Sequence, residues 1–342
     1  MKTNQLFLTL FLVLTCTFAA YSQTSVATLE HLGTSKGFYG PNSFVDAYNA
    51  SANGDQIYLS AGFFNPPPTI AKGVKIYGSG HFPDSANVAR RTLILGGLSL
   101  RKGADSLYLE GLYINGDLTY DASNPINYVR VNRCRFVNAL FQSSSATAGK
   151  NNCSFEECFV NGGINFSNYG NKLLILHCVI IPNTNIAGIS NINENALIDG
   201  NIITILYNNF AISQVKFSTI QNNFIYTYSV DYGTGNVFNN NIFSKWTFAG
   251  DNTYGNNKTV LDFSKIFVRN NFLLDYTNDF HLNDPDAYIG TDGTQIGLYG
   301  GSTPFKEKGL PSNPQILTKK VATQTNAQGK LLVNFTVKAQ EN

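Results

Sequence analysis

Three residues at near-regular spacing, Arg133, Glu157 and His177, are the first in this chain whose types could do acid–base chemistry. A carboxylate beside a guanidinium and an imidazole could move a proton on a sugar ring, or bind a uronic acid carboxylate. Arg130 and Arg135 flank Arg133, and the competing interpretation is a solvated ladder of alternating charges that holds coils in register, worth little apiece. A second group is aromatic: Tyr226, Tyr228, Tyr232 and Trp246, with Phe243, Phe248 and Tyr254 close by. Exposed rings flanked by amides make a stacking platform for sugar faces, whereas ordinary packing of turns on a core would use the same residues. A third group is Asp284, Asp286 and Asp292 in "NDPDAYIGTDG". Carboxylates among turn carbonyls could hold calcium, but Asp-Pro and Asp-Gly are ordinary turn formers. No other cofactor is expected. There is no Cys-x-x-Cys pair, and His31, His81, His177 and His281 follow no metal-ligand spacing.

A repeat must position these residues. The segments "LEGLYI", "VNRCRF", "FEECFV", "LHCVI", "DGNII", "QNNFI", "NNNIF" and "RNNFL" align on Leu112, Cys134, Cys158, Cys178, Asn201, Asn223, Asn241 and Asn271. The steps run from 18 to 24 residues, with one longer step before Asn271 that is assigned to an overhanging loop, Phe248 to Asp262. That period belongs to β-solenoids rather than to compact sandwiches. Stacked coils place equivalent residues one inter-strand spacing apart, roughly 4.8 Å. An amide there donates to one neighbour and accepts from the other. Asn also tolerates the left-handed backbone of a sharp corner, so the ladder Asn residues are expected at that corner, with the apolar pair after them turning inward. By the same alignment Cys134, Cys158 and Cys178 face inward as small apolar groups. They are read as reduced thiols, with a Cys134–Cys158 bridge as the alternative.

The ends differ from the coils. "SFVDAYNAS" spaces Phe44, Ala47 and Tyr48 for a short helix with Ser43 as N-cap, a suitable cover for the open end of a stack. Residues 1–22 have the layout of a signal peptide: Lys2, an apolar run from Leu6 to Phe18, then small residues at Ala20 and Ser22. The run is too short to span a bilayer, and no later stretch is apolar enough. The mature chain is therefore expected outside the cytoplasm, secreted, at the cell surface or in a periplasm. With 24 basic and 22 acidic side chains the net charge is only +2, which lacks the basic surplus of a nucleic-acid binder. The final 319–342 alternates through Leu332, Asn334, Phe335 and Val337, as a closing strand or hairpin would.

The entry "FVDAYNASANGDQIYLSAGFF", the coils and the ending "DFHLNDPDAYIGTDGTQIGLYGG" resemble the right-handed parallel β-helix proteins of the pectin-lyase-like superfamily, in their secreted bacterial form. The resemblance covers roughly residues 38 to 318 and implies an all-β, single-stranded solenoid with a helical cap, occupying 23–318. It implies little about activity, because that superfamily hosts lyases, hydrolases, isomerases and adhesins. The acidic calcium cluster with a neighbouring Arg of its lyases, and the paired Asp of its hydrolases, find no match here. The preferred expectation is a noncatalytic protein binding a glycan or cell-surface polysaccharide. A polysaccharide-active enzyme, lyase before hydrolase, using Arg133, Glu157 and His177 is the alternative, and a structural surface protein the third.

Overall fold

The computed structural model describes residues 25–83, 90–120, 123–141, 149–182, 186–205, 209–227, 233–245, 250–312 and 314–338. The segment read as an export signal, and Tyr228, Tyr232 and Trp246, lie outside these residues.

The repeat folds as a parallel β-helix. Central coils each give one short strand to three sheets, of twelve, eight and ten strands, and the first sheet is parallel except for its two N-terminal strands. Strands of the first sheet point their middle residue inward, so Val131, Phe155, Ile175, Ile198, Ile220 and Phe238 stack in register as one fully buried column. Their flanking residues face out. After each of these strands a sharp corner leads into the ten-stranded second sheet.

That corner uses two adjacent residues for two purposes. The first takes the left-handed conformation: Arg133, Glu157, His177, Gly200, Asn222, Asn240 and Asn256, with φ between 49° and 67°. The second carries the ladder. Asn201 Nδ2 donates to Asn223 Oδ1 at 2.9 Å, Asn223 to Asn241 at 2.9 Å, and Asn241 to Asn257 at 3.0 Å. The expectation that the ladder Asn hold the left-handed angles is therefore corrected by one residue, and this explains why Asn comes in pairs. Each ladder Oδ1 also accepts the backbone N–H of the preceding coil's ladder residue, beginning with Cys178 N–H to Asn201 at 2.8 Å. Each Nδ2 also reaches back to the mid-strand carbonyl of the preceding coil, as Asn223 does to Ile198 O at 2.9 Å.

The last rung is Asn257, not Asn271. Residues Thr253–Gly255 and Lys258–Thr259 add one more coil to the first and second sheets, so the stretch read as an overhanging loop is regular from Thr253 onward. Its Asn-Asn pair was hidden because "YGNNKTV" lacks the apolar partner used for alignment. Asn271 instead sits in an exposed turn, its amide bonded to Asp275 at 3.1 Å. A shorter second ladder, Ser218–Asn236–Asn252, closes the corner where coils enter the first sheet. Cys134, Cys153, Cys158 and Cys178 are free and buried. The Cys158 thiol donates to Val131 O at 3.2 Å, and Cys178 to Leu176 O at 3.3 Å. Burial pushes the thiols of Cys134 and Cys178 well above their usual range and that of Cys153 up to about 12, so the thiolate needed for nucleophilic chemistry is disfavoured.

The helix Ser43–Ala50 buries Ser43, Phe44, Ala47 and Tyr48 over the start of the core, and the Tyr48 hydroxyl accepts Ala71 N–H at 2.6 Å. Asn42, not Ser43, is the N-cap; the Ser43 hydroxyl is drawn inward with Phe44 and has no partner among the described residues. Strands Val26–His31 and Thr34–Tyr39 pair antiparallel beyond the first coil and end the parallel stack. They precede the first repeat, so periodicity gave no sign of them.

The second sheet is covered on both faces. Phe136, Val160, Ile180, Ile203, Ile225 and Phe243 point into the coil core, while Phe159, Val179, Ile202, Phe224 and Ile242 point outward into a second apolar cluster. The chain after Phe263 folds back over that outer side, putting Phe263, Phe267, Phe280, Leu298 and Phe305 against it. Phe224 lies 5.0 Å from Phe267 and Phe159 5.9 Å from Phe305 between ring centroids. The apolar pair of each repeat thus faces one in and one out, as strand alternation requires, not both inward. Among the described residues the terminal strands Gln315–Val321 and Val333–Lys338 pair with each other, as an exposed hairpin outside the three sheets.

Removing a rung leaves buried backbone groups unpaired. Asn223→Ala should cost about 3 kcal/mol in urea unfolding, while Asn271→Ala should cost under about 1 kcal/mol. Equal effects would show that the ladder does not hold the corner.

Candidate functional site

The first acid–base candidates fall at one corner. Arg133 is locked between two carboxylates: Nη1 donates to Glu110 Oε1 at 3.0 Å and Nη2 to Glu157 Oε1 at 3.0 Å. The closing segment is bonded over them. Lys306 N–H donates to Glu157 Oε2 at 2.7 Å, Ser312 N–H to Glu110 Oε1 at 3.0 Å, and Arg133 Nη1 also reaches Leu310 O at 3.4 Å. Tyr108 and Ser312 hydroxyls donate to Glu110 Oε2 at 3.0 and 3.1 Å. Glu110, in the column beside Arg133, is only 1% exposed. Burial works against the guanidinium charge, but Glu157 and Glu110 more than offset it and hold the Arg133 pKa above its usual value. The cluster functions as a clasp that fastens the closing segment to the coils.

His177 is one coil further along and outside the clasp. Its ring packs so closely on Gly200 that a Cβ there would lie 2.3 Å from it, and that Gly also has φ +67°. Neither ring nitrogen has a hydrogen-bond partner among the described residues. Burial lowers the His177 pKa, against the opposing pull of Asp199, Glu157, Glu156 and Asp292, so the imidazole is neutral at pH 7. A recess of about 210 Å³ opens beside it, between Leu176, Asp199 and Gln221 on the first sheet and Thr291–Thr303 on the closing segment.

The outer face of the first sheet carries a second, larger recess of about 530 Å³, lined by Tyr128, Arg130, Ser154, Glu156, Lys172 and Leu174. Tyr128 is 53% exposed and stands at a left-handed corner, φ 62°. Arg130, Glu156 and Lys172 form no ion pair among the described residues. An open ring beside unpaired donors and acceptors is a polar binding surface. Leu174 lines one recess and Leu176 the other, two residues apart on one strand, roughly 6.6 Å. Sequence reasoning missed Tyr128, although its place three residues before "VNRCRF" put it at the entrance of a coil. Further along the same face Tyr58 and Tyr77 stack on successive coils at 5.3 Å, and Tyr108 packs tilted against Tyr77 at 5.5 Å.

Of the aromatic candidates, Tyr226 is half-buried against Phe263 and Phe272 at 5.5 and 5.2 Å, and not on an open platform. Tyr228, Tyr232 and Trp246 fall outside the described residues. Asp284 caps a 3-10 turn at Ala287 N–H, Asp292 accepts from Thr294 N–H and hydroxyl at 2.9 and 2.8 Å, and Asp286 is exposed within the turn that Asp284 caps. Among the described residues no group of three or more His, Cys, Asp and Glu is arranged to hold a metal ion.

His81 is buried beneath the closing segment, its Nδ1 3.2 Å from the Tyr276 hydroxyl. Burial first, then the charges of Arg135 and Arg91, push its pKa down to about 3.

Compared with known proteins, the chain matches no family model, no curated protein and no solved structure. What fold and site define is a parallel β-solenoid with a clasped closing segment and a polar outer face.

Two outcomes follow from this geometry. Glu110→Ala removes one of the two carboxylates holding the buried Arg133 and the acceptor of the Ser312 N–H, and should cost about 3 kcal/mol in urea unfolding, whereas Glu156→Ala in the same column should stay within about 0.5 kcal/mol. His81 is neutral when folded and titrates near 6.5 when unfolded, so the unfolded chain binds the extra proton in between. Stability is full above pH 6.5 and falls as pH drops toward 3; His81→Gln should flatten that part of the urea-midpoint profile.

Proposed function

We propose that the protein is an exported β-helix of the pectin-lyase-like type that binds a polysaccharide across the outer face of its first sheet without cleaving it. The observation that carries this is the open recess of Tyr128, Arg130, Glu156 and Lys172, whose ring and charged groups have no ring contact or ion pair among the described residues, continuing on the same strand into the His177 recess. Unpaired polar groups around an exposed ring suit a hydroxyl-rich ligand better than an apolar one. The noncatalytic part of the proposal is supported by the clasp. Arg133 and Glu157, two of the three residues that a lyase-like reaction would need, spend their hydrogen bonds on each other, on Glu110 and on the closing segment. Export rests on residues 1–22, and the superfamily on the resemblance of the cap, coils and closing segment.

Binding to a glycan array followed by calorimetry on the best ligand tests this. Tyr128→Ala should weaken binding about five- to tenfold, the ~1–1.5 kcal/mol of one stacked ring, with no change in melting temperature. Polyuronates should give no new ultraviolet absorbance with or without calcium. Release of unsaturated product, or binding untouched by Tyr128→Ala, would overturn the proposal.

A further inference from the structure

The two recesses differ in charge. The Tyr128 recess holds two basic side chains and one acidic one. The walls of the His177 recess contain Asp199 and Asp292 and no Lys or Arg. Glu156 and Glu157 add to the negative field on His177. Asp199 is fixed in place, its two oxygens accepting from Gln221 at 2.8 Å and Asn222 at 2.9 Å. One side of the recess is closed. Asn222 is bonded to Thr291 through both ends of its amide, at 2.9 and 3.0 Å, and its carbonyl accepts Gly297 N–H at 2.9 Å. The remaining space, about 210 Å³, suits a single pyranose ring, not an oligosaccharide.

We infer that the His177 recess is a subsite for one terminal sugar that carries no negative charge, either a neutral hexose or an amino sugar, and that it rejects uronic acids and sulfated sugars. This rests on the polysaccharide-binding proposal and gives it a polarity: the chain end sits at His177, and the preceding units extend over Leu174 toward Tyr128. The chemistry on the walls fits. Carboxylates at Asp199 and Asp292 accept from hydroxyl or ammonium groups, Ser302 and Thr303 supply hydroxyls, and the unpartnered imidazole can either donate or accept. An added carboxylate or sulfate would face the two aspartates in a partly enclosed site with no cation among the lining residues to offset it.

The test is a nuclear magnetic resonance titration of the full chain, labelled on histidine, at pH 7.5, with the His177 signals assigned from His177→Gln. The probes are the methyl glycosides of a neutral hexose, a 2-amino hexose and a hexuronic acid. The neutral or amino sugar should shift the His177 ring signals at millimolar concentration, with the uronic acid at least tenfold weaker. Ser302→Trp, which fills the recess from an exposed position, should abolish the shift, and Tyr128→Ala should leave it. The inference is overturned if the uronic acid binds as well as the others, if no probe moves His177, or if Ser302→Trp has no effect. Polysaccharide retention by the wild-type chain, measured in parallel, separates the two proposals. A silent His177 with retained polymer removes the subsite alone, and loss of both removes the binding proposal with it.

Discussion

The constraint on which everything else rests is the satisfaction of backbone polar groups at the corner between the first and second sheets. A strand that turns sharply inside a solenoid leaves N–H and C=O groups facing an apolar interior, where each unpaired one is costly. The chain solves this with two neighbouring positions, one left-handed and one whose side chain reaches the coils on either side. From Asn201 to Asn257 the second position is an amide that bonds a neighbouring amide and two backbone groups. In the earlier coils Leu112, Cys134 and Cys158 fill the same column without an amide, and there the thiols are hydrogen-bonded to carbonyls instead. Two chemistries thus serve one geometry, small and apolar at one end, amide-rich at the other.

The left-handed position explains why charged residues cluster where they do. It faces outward, so it accepts any side chain whose backbone strain the stack can hold, and Arg133, Glu157 and His177 occupy it in succession. Their alignment is a consequence of the corner before it is a sign of chemistry. What distinguishes them is the closing segment. It returns along the outer side of the second sheet because Phe159, Val179, Ile202, Phe224 and Ile242 leave an apolar surface that needs cover. Its end is then pinned by Glu110, Arg133 and Glu157. The same covering leaves the first sheet's outer face open on one side and walled by Thr291–Thr303 on the other, and the two recesses lie between.

How far the sequence could be read follows from this. The period, the ladder column from Leu112 to Asn241 and the alignment of Arg133, Glu157 and His177 were legible, since stacking makes equivalent positions repeat in the chain. The last coil was misread as a loop because its Asn256-Asn257 pair is followed by Lys258-Thr259, which lie at the exposed end of the second sheet and need not be apolar. Tyr226 was expected to be open because alternation gives a side chain's direction, but not what later segment will pack on it.

By itself, then, the order of residues determined the winding: local alternation and a fixed period specify which side chains stack, because each coil repeats its neighbour's environment at one strand spacing. Only the tertiary structure decided that Arg133 and Glu157 are consumed in a clasp while His177, equivalent to them by repeat, borders a recess. That difference arises from contacts 149 to 202 residues apart, between coil corners and Lys306 and Ser312, and no periodic pattern encodes a segment that returns only once.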